Sequence, residues 1–358
     1  TFLVGSANGF VEIGINPLAA TLYPTEKTHM LNILHAWWPG GLCLGGILAL
    51  AITRSMGLDV EGVSQDARMF GWQVKLGLIL IPTLIYGAMF LFAKFPVTER
   101  VASGVSTKAM MTEAFRPMFL LWAFCMLLTA STELAPQGMQ NLVLQKTAGM
   151  NGTIILIYTS TLMFILRHFA GPIAHKFSPV GMLTGSAILS TIGLFLLSFA
   201  YDKPTAIGAA TIYGLGIVYF WPTMLGVTAE RFPRGGAFLL GIMGCVGNLA
   251  IGVVSPWMGG VNDNITLQNI PAELQNRVVV NRAVIDQKVL ALSPEEQRIV
   301  AEAQSQGAKM SFRYVSALPL VLVVIFGSIA VSDRARGGYK PEVLTKDEIE
   351  EASLASDY

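Results

Sequence analysis

Nine stretches of about 20 mostly apolar residues recur along the chain, at about 1–22, 33–53, 72–93, 117–142, 152–170, 180–200, 205–227, 235–258 and 313–332. Runs of that length match the hydrocarbon thickness of a bilayer. Lipid offers no partner for a backbone N–H or C=O, so each run is expected to be a transmembrane helix. Composition agrees: 53% of the residues are hydrophobic and 13% are charged, against roughly 25% charged in a soluble domain. The fold class expected is an all-α polytopic membrane protein.

Lysine and arginine in the connections set the orientation. Thirteen fall on one side, Lys27, Lys94, Arg100, Lys108, Arg116, Arg167, Lys176, Arg231 and Arg234 among them, and five on the other, Arg54, Arg68, Lys75, Lys146 and Lys203. The richer side is expected to be cytoplasmic, which puts the tail 333–358 inside and Thr1 outside. The connection 94–116 divides the chain into three spans and six, a domain boundary. The connection 259–312 is expected to be an external insertion with a short surface helix, because Ser293 stands as an N-cap before Pro294 and two glutamates. The first apolar run lacks a basic leader and a cleavage site, so it is expected to be a span. Since it opens on threonine, the chain is expected to begin in mid-protein.

Polar residues inside spans are the candidates for chemistry, because a charge at mid-membrane costs on the order of 3 kcal/mol and is placed facing a wet cavity or the bundle interior. In the first run Gly5, Gly9, Glu12 and Asn16 fall on one helical face, ahead of Pro17. The expectation is a carboxylate and a carboxamide in a groove of glycines. Asn16 either meets substrate hydroxyls or satisfies carbonyls freed by Pro17. In the second run His35 and Trp38, three apart, form an aromatic platform with a polar edge; the competing reading makes Trp37 or Trp38 an interfacial anchor. Glu133, Gln137, Gln140 and Asn141 share one face of the fourth run around Pro136, either as a polyol-binding wall or in the outer interface. Tyr219 and Trp221 flank the proline-broken seventh run as stacking or packing aromatics. Asn248 in the glycine-rich eighth run serves binding or an interhelical hydrogen bond. Gly9 precedes Pro17 by the same eight residues that separate Gly214 from Pro222, a weak echo of duplication between the first and seventh runs.

Nine spans, a break after the third and a possible six-span repeat resemble a major facilitator superfamily transporter, nine of an expected twelve helices, lacking its first three. The turn RHFAGPIAHKFSP resembles that superfamily's cytoplasmic signature G-x-L-A-D-R-x-G. Gly171, Ile173, Ala174 and Lys176 fit it, while His175 replaces the aspartate and Ser178 the second glycine. The resemblance implies that Arg167, Gly171, His175 and Lys176 form a cytoplasmic gating loop. FVEIGINPL followed by LNILHAWWPGG resembles the fucose permease branch, the fucose-galactose-glucose proton symporters. That likeness implies that Glu12 is a proton-linked residue facing the cavity. His35, Trp37 and Trp38 stand where fucose-specific members carry polar sugar contacts, which leaves the sugar open. The implied domains are 1–93, the remainder of an N-terminal six-helix bundle; a cytoplasmic linker 94–116; a C-terminal bundle 117–332; and the tail.

The function expected is proton-coupled symport of a hexose, deoxyhexose or related polyol by a monomer in a bacterial inner membrane, with no cofactor. A facilitator, an efflux transporter or a non-transporting sugar sensor stands as the alternative. A chain without the first three helices is expected not to transport by itself. A net charge of +1 and the lack of any basic tract or zinc spacing argue against nucleic acid as a partner. His29, His35, His168 and His175 form no metal-ligand pair and share no face with a carboxylate, which speaks against an enzyme. Cys43, Cys125 and Cys245 lie in apolar runs without paired spacing and read as small core residues.

Overall fold

The structure, a computed structural model, describes residues 2–60, 62–148, 152–342 and 344. Helices dominate. The first is α1 (Phe2–Leu22), followed by α2 (Lys27–Ser55) and by α3 (Gln65–Gly77) with α4 (Leu80–Leu91), which together cover the third expected span. Short helices α5 (Glu99–Ala102) and α6 (Thr107–Thr112) lie in the connection to α7 (Pro117–Ala148). Helix α8 (Gly152–Arg167) bends by 60° into α9 (Ala170–Phe177). Then come α10 (Pro179–Leu197), α11 (Lys203–Ile217), α12 (Phe220–Arg231) and α13 (Gly236–Gln268).

Among the described residues, seven helical stretches are long and apolar enough to cross a membrane, and eight if α8 and α9 count as one broken span. The expected count was nine. The stretch outside this set is α1, helical over 21 residues but diluted by Asn8, Glu12 and Asn16. The main core gathers Trp122, Tyr213, Phe220 and Phe326, all buried, from α7, α11, α12 and the last span. Helix α2 packs on α8 and α12, and α1 packs on α13.

Close helix contact rests on glycine, as it does where lipid supplies no hydrophobic drive between helices. A Cβ on Gly193 of α10 would stand 2.4 Å from the Tyr213 backbone, and one on Gly216 of α11 would stand 2.3 Å from Ser190 N. Gly193→Val is therefore expected to lower the thermal midpoint of the purified protein, at a cost of about 1–3 kcal/mol from overpacking. An unchanged midpoint in detergent would show that α10 and α11 can separate freely. Gly5 and Gly9 of α1, by contrast, have open space where a Cβ would be, so the expected glycine groove around Glu12 is not a close-packing surface here.

Residues 259–312 build more than a short surface helix. Helix α13 runs on to Gln268 and is followed by α14 (Ala272–Val278), a hairpin of β1 (Val279–Val280) and β2 (Ala283–Val284), and α15 (Asp286–Leu290). Next, α16 (Pro294–Val315) leads into α17 (Ala317–Ala335). Ile270, Leu274, Val278, Leu292, Val300 and Ala303 form a second small core. The expected N-cap is present as a capping box of Ser293 and Glu296, and the Ser293 N–H and Arg277 hold the Glu296 carboxyl below its ordinary range. The helix is long because it has a partner: at Gly307 a Cβ would stand 2.4 Å from Asn262 O of α13.

Candidate transport cavity

Proline determines which backbone groups need a partner in the middle of the helices. Each proline within a helix removes the N–H that would bond the carbonyl four residues earlier. Pro39 thereby frees His35 O, Pro222 frees Val218 O and Pro136 frees Thr132 O. In lipid such carbonyls must be met from within the protein.

Two of the three are met by one side chain. Arg167, 1% exposed at the end of α8, donates from Nη1 to His35 O at 2.7 Å and from Nε to Val218 O at 2.7 Å. Its Nη2 donates to Glu133 Oε1 at 3.0 Å, an ion pair with both partners buried. The third carbonyl, Thr132 O, accepts from the Tyr213 hydroxyl at 2.8 Å. Between α11 and α12 the helix breaks at Val218 and Tyr219. The Trp221 N–H turns there to Glu133 Oε2 at 3.2 Å. Glu133 and Arg167 thus tie α7, α8, α12 and α2 together at one point.

Arg167 therefore does not belong to a cytoplasmic gating loop. It sits at the end of an apolar helix whose last turn lies inside the bundle, and three of its five N–H groups are taken up there, two by buried carbonyls and one by the Glu133 carboxylate. Gly171, His175 and Lys176 lie elsewhere, along a second cavity of about 430 Å³ towards the Lys/Arg-rich end.

Helices α1, α2, α7, α8, α12 and α13 converge on a cavity of about 140 Å³. Glu12, His35, Trp38, Glu133, Arg167, Trp221 and Asn248 line it, with Asn8, Leu134 and Ile251. Glu12 is half-buried, and among the described residues no cation pairs with it. Asn16 stands behind the wall: its Nδ2 donates to Glu12 O at 3.0 Å and lies 3.5 Å from Glu12 Oε2. With the amide nitrogen so directed, Asn16 Oδ1 accepts from His35 Nε2–H at 2.8 Å, which assigns the tautomer. Asn16 thus orients Glu12 and His35, while the carbonyl Pro17 frees, Ile13 O, is not its partner.

Two indoles face this polar set. Trp38 is 48% exposed, and Trp221 is buried against Gly247, where a Cβ would stand 2.5 Å from its ring. Asn248 Nδ2 donates to Gly244 O at 2.9 Å, within its own helix, while the residue lines the cavity. Other expected contacts point away. Gln137 Nε2 donates to Met163 Sδ at 3.3 Å, and the Tyr219 hydroxyl donates to Leu166 O at 2.8 Å. Gln140 and Asn141 lie outside the residues whose side chains the structure describes. Asn8 was legible but missed: Asn8, Glu12 and Asn16 repeat at intervals of four along one face of α1.

A bundle of membrane-spanning helices around a polar cavity with a buried ion pair and an unpaired carboxylate defines a membrane transporter. Residues 1–255 match the sequence profile of the Major Facilitator Superfamily. The chain belongs to this superfamily. Its fold is similar to a crystal structure of the Escherichia coli fucose:proton symporter FucP. That match has a TM-score of 0.60 and 16% identity, and covers 87% of this chain and 73% of that one. A structure of the transporter FucP in the outward conformation gives a TM-score of 0.58 at 16% identity, covering 87% of this chain and 72% of that one. No curated protein sequence matches the chain.

Proposed function

We propose that the protein is a proton-coupled symporter of a sugar or related polyol, working by alternating access across a cell membrane. The carrying observation is Glu12: a carboxylate without a cation partner among the described residues, in a cavity lined by two indoles and a buried ion pair. Residues 1–93 and 117–332 act as two bundles joined by the linker 94–116, with the Lys/Arg-rich ends in the cytoplasm of a bacterial cell and the monomer as the working unit.

The chemistry follows from charge balance. Glu133 is matched by Arg167, so the pair enters and leaves a dry state without changing net charge. Glu12 has no such match, and closing the cavity around it as an anion is expensive. A proton from outside removes that cost and lets the loaded cavity reorient. For the substrate, Arg167 has two N–H groups left after its three bonds, and the Glu133 oxygens keep acceptor capacity. Adjacent donors and acceptors suit neighbouring hydroxyls, while Trp38 and Trp221 offer apolar faces to a pyranose ring.

The test uses the protein expressed from its complete reading frame, in proteoliposomes with a trapped pH dye. Adding hexoses and deoxyhexoses one at a time is expected to acidify the lumen with at least one of them. Saturable sugar exchange without acidification would leave a facilitator. Binding without flux would leave a sensor, and no response to any sugar would sink the substrate class.

A further inference from the structure

At the Lys/Arg-rich end, helix termini from the two halves of the chain meet and cap one another. The Glu26 side chain makes no cap bond to α2, so the first N–H groups of that helix look outward for partners. Thr28 N–H finds one in Glu230 Oε1 at 3.0 Å, on the last turn of α12. In return Lys27 Nζ donates to Ala229 O at 3.3 Å, one of the carbonyls that α12 leaves free at its end. The positive end of the α2 dipole thus lies against the negative end of α12.

A third element holds this junction. After α17 the chain reverses through Gly337 and Gly338, with φ of 91° and 101°, a conformation that only glycine adopts without strain. The reversal returns Tyr339 to α12, where its hydroxyl donates to Glu230 Oε2. The Arg231 guanidinium lies 4.8 Å from the centre of the Tyr339 ring and pairs with Asp333. Glu342 N–H then caps Glu230 O at 2.8 Å, the next free carbonyl of α12. Both oxygens of Glu230 are therefore committed, one to the first half of the chain and one to the C-terminal segment.

We propose that Tyr339 is a positioning residue for the closed state: it fixes Glu230 as acceptor for the α2 N-terminus, so the segment after α17 latches the Lys/Arg-rich side shut. The proposal rests on the transport reading, in which α2 and α12 separate when that side opens. Opening then breaks the Thr28–Glu230 and Lys27–Ala229 bonds, and the latch sets how often this happens. The adjoining cavity of about 430 Å³, bordered by Thr28, Gly171, Glu230, Gly338 and Tyr339, leaves the segment room to swing away.

The test compares wild type, Tyr339→Phe and a chain ending after Arg336, each from the complete reading frame and reconstituted in lipid. Spin labels at the exposed positions Tyr23 and Phe177 report the separation of the two halves by pulsed electron resonance. Tyr339→Phe keeps the ring over Arg231 and removes only the hydroxyl. It is expected to raise the open-to-closed ratio about tenfold, the effect of one charge-assisted hydrogen bond, with the shortened chain moving at least as far. Distance distributions unchanged in both variants would overturn the latch. A protein that opens in the Phe variant but moves no sugar keeps the latch and loses the transport reading. One that transports with unchanged distances does the reverse.

Discussion

Arg167→Met is expected to destabilise the protein more than Glu133→Gln, and more than the double substitution. Methionine fills the stem of the arginine but withdraws three donors at once. Glu133 keeps the Trp221 N–H but is left as a buried charge without a counter-ion, a situation that costs about 3–5 kcal/mol. His35 O and Val218 O, which Arg167 serves at 2.7 Å each, lose that donor, at about 1–3 kcal/mol each. These terms share one group and will not add in full. Glu133→Gln also leaves a buried charge, the guanidinium, without its counter-ion, but it keeps the arginine on both carbonyls, retains an oxygen for it and strands no carbonyl, so it is milder. The double variant removes the stranded charge while keeping the orphan carbonyls, and falls between. Arg167→Lys restores a positive charge, but a compact ammonium does not reproduce a planar fork reaching α2, α12 and α7 together. Thermal midpoints of the five proteins in detergent check the order. An Arg167→Met protein as stable as wild type would mean that water, and not Arg167, serves those carbonyls.

The prolines show how much of this site the sequence carried. Pro39, Pro136 and Pro222 can be read directly, and the carbonyls they free are fixed by arithmetic along a helix. What serves those carbonyls is a tertiary fact. Arg167 stands at the close of an apolar run beside His168, where a positive residue ordinarily marks the membrane edge, so charge counting assigned it to a loop. Only the packing of α8 between α2 and α7 turns it inward. Glu12 was legible for the opposite reason: a carboxylate in an apolar helix has few places to be, whatever its neighbours. His35 and Trp38 followed from their spacing of three, whereas Gln137 shares a face with Glu133 yet turns to Met163, because a helical face fixes direction only to within a side chain's reach. In the segment 259–312 the cap at Ser293 was local and visible. The length of α16 depended on Gly307 meeting α13, a pairing of residues far apart in sequence.

Glu12→Gln is expected to abolish sugar-driven proton movement while leaving sugar exchange intact. The carboxamide is nearly the same size and keeps an oxygen for Asn16 Nδ2, so the Asn16–His35 arrangement behind it survives. What it loses is the ability to alternate between charged and neutral forms. In the proposed cycle the unprotonated cavity has to close around an uncompensated anion, at a cost on the order of 3 kcal/mol, and is expected to reorient about a hundredfold less often than the protonated one. On that proposal the difference is the coupling. Glutamine is permanently in the neutral form, which removes the penalty and with it the need for a proton. Sugar then equilibrates across the membrane without accumulating, and the pH dye stays flat. Glu133→Gln provides the contrast, since its charge is already balanced by Arg167. It is expected to weaken the apparent affinity for sugar while acidification persists at saturating substrate. If Glu12→Gln vesicles still acidify on adding sugar, the proton travels by another group; if Glu133→Gln alone silences the dye, the balanced pair carries it.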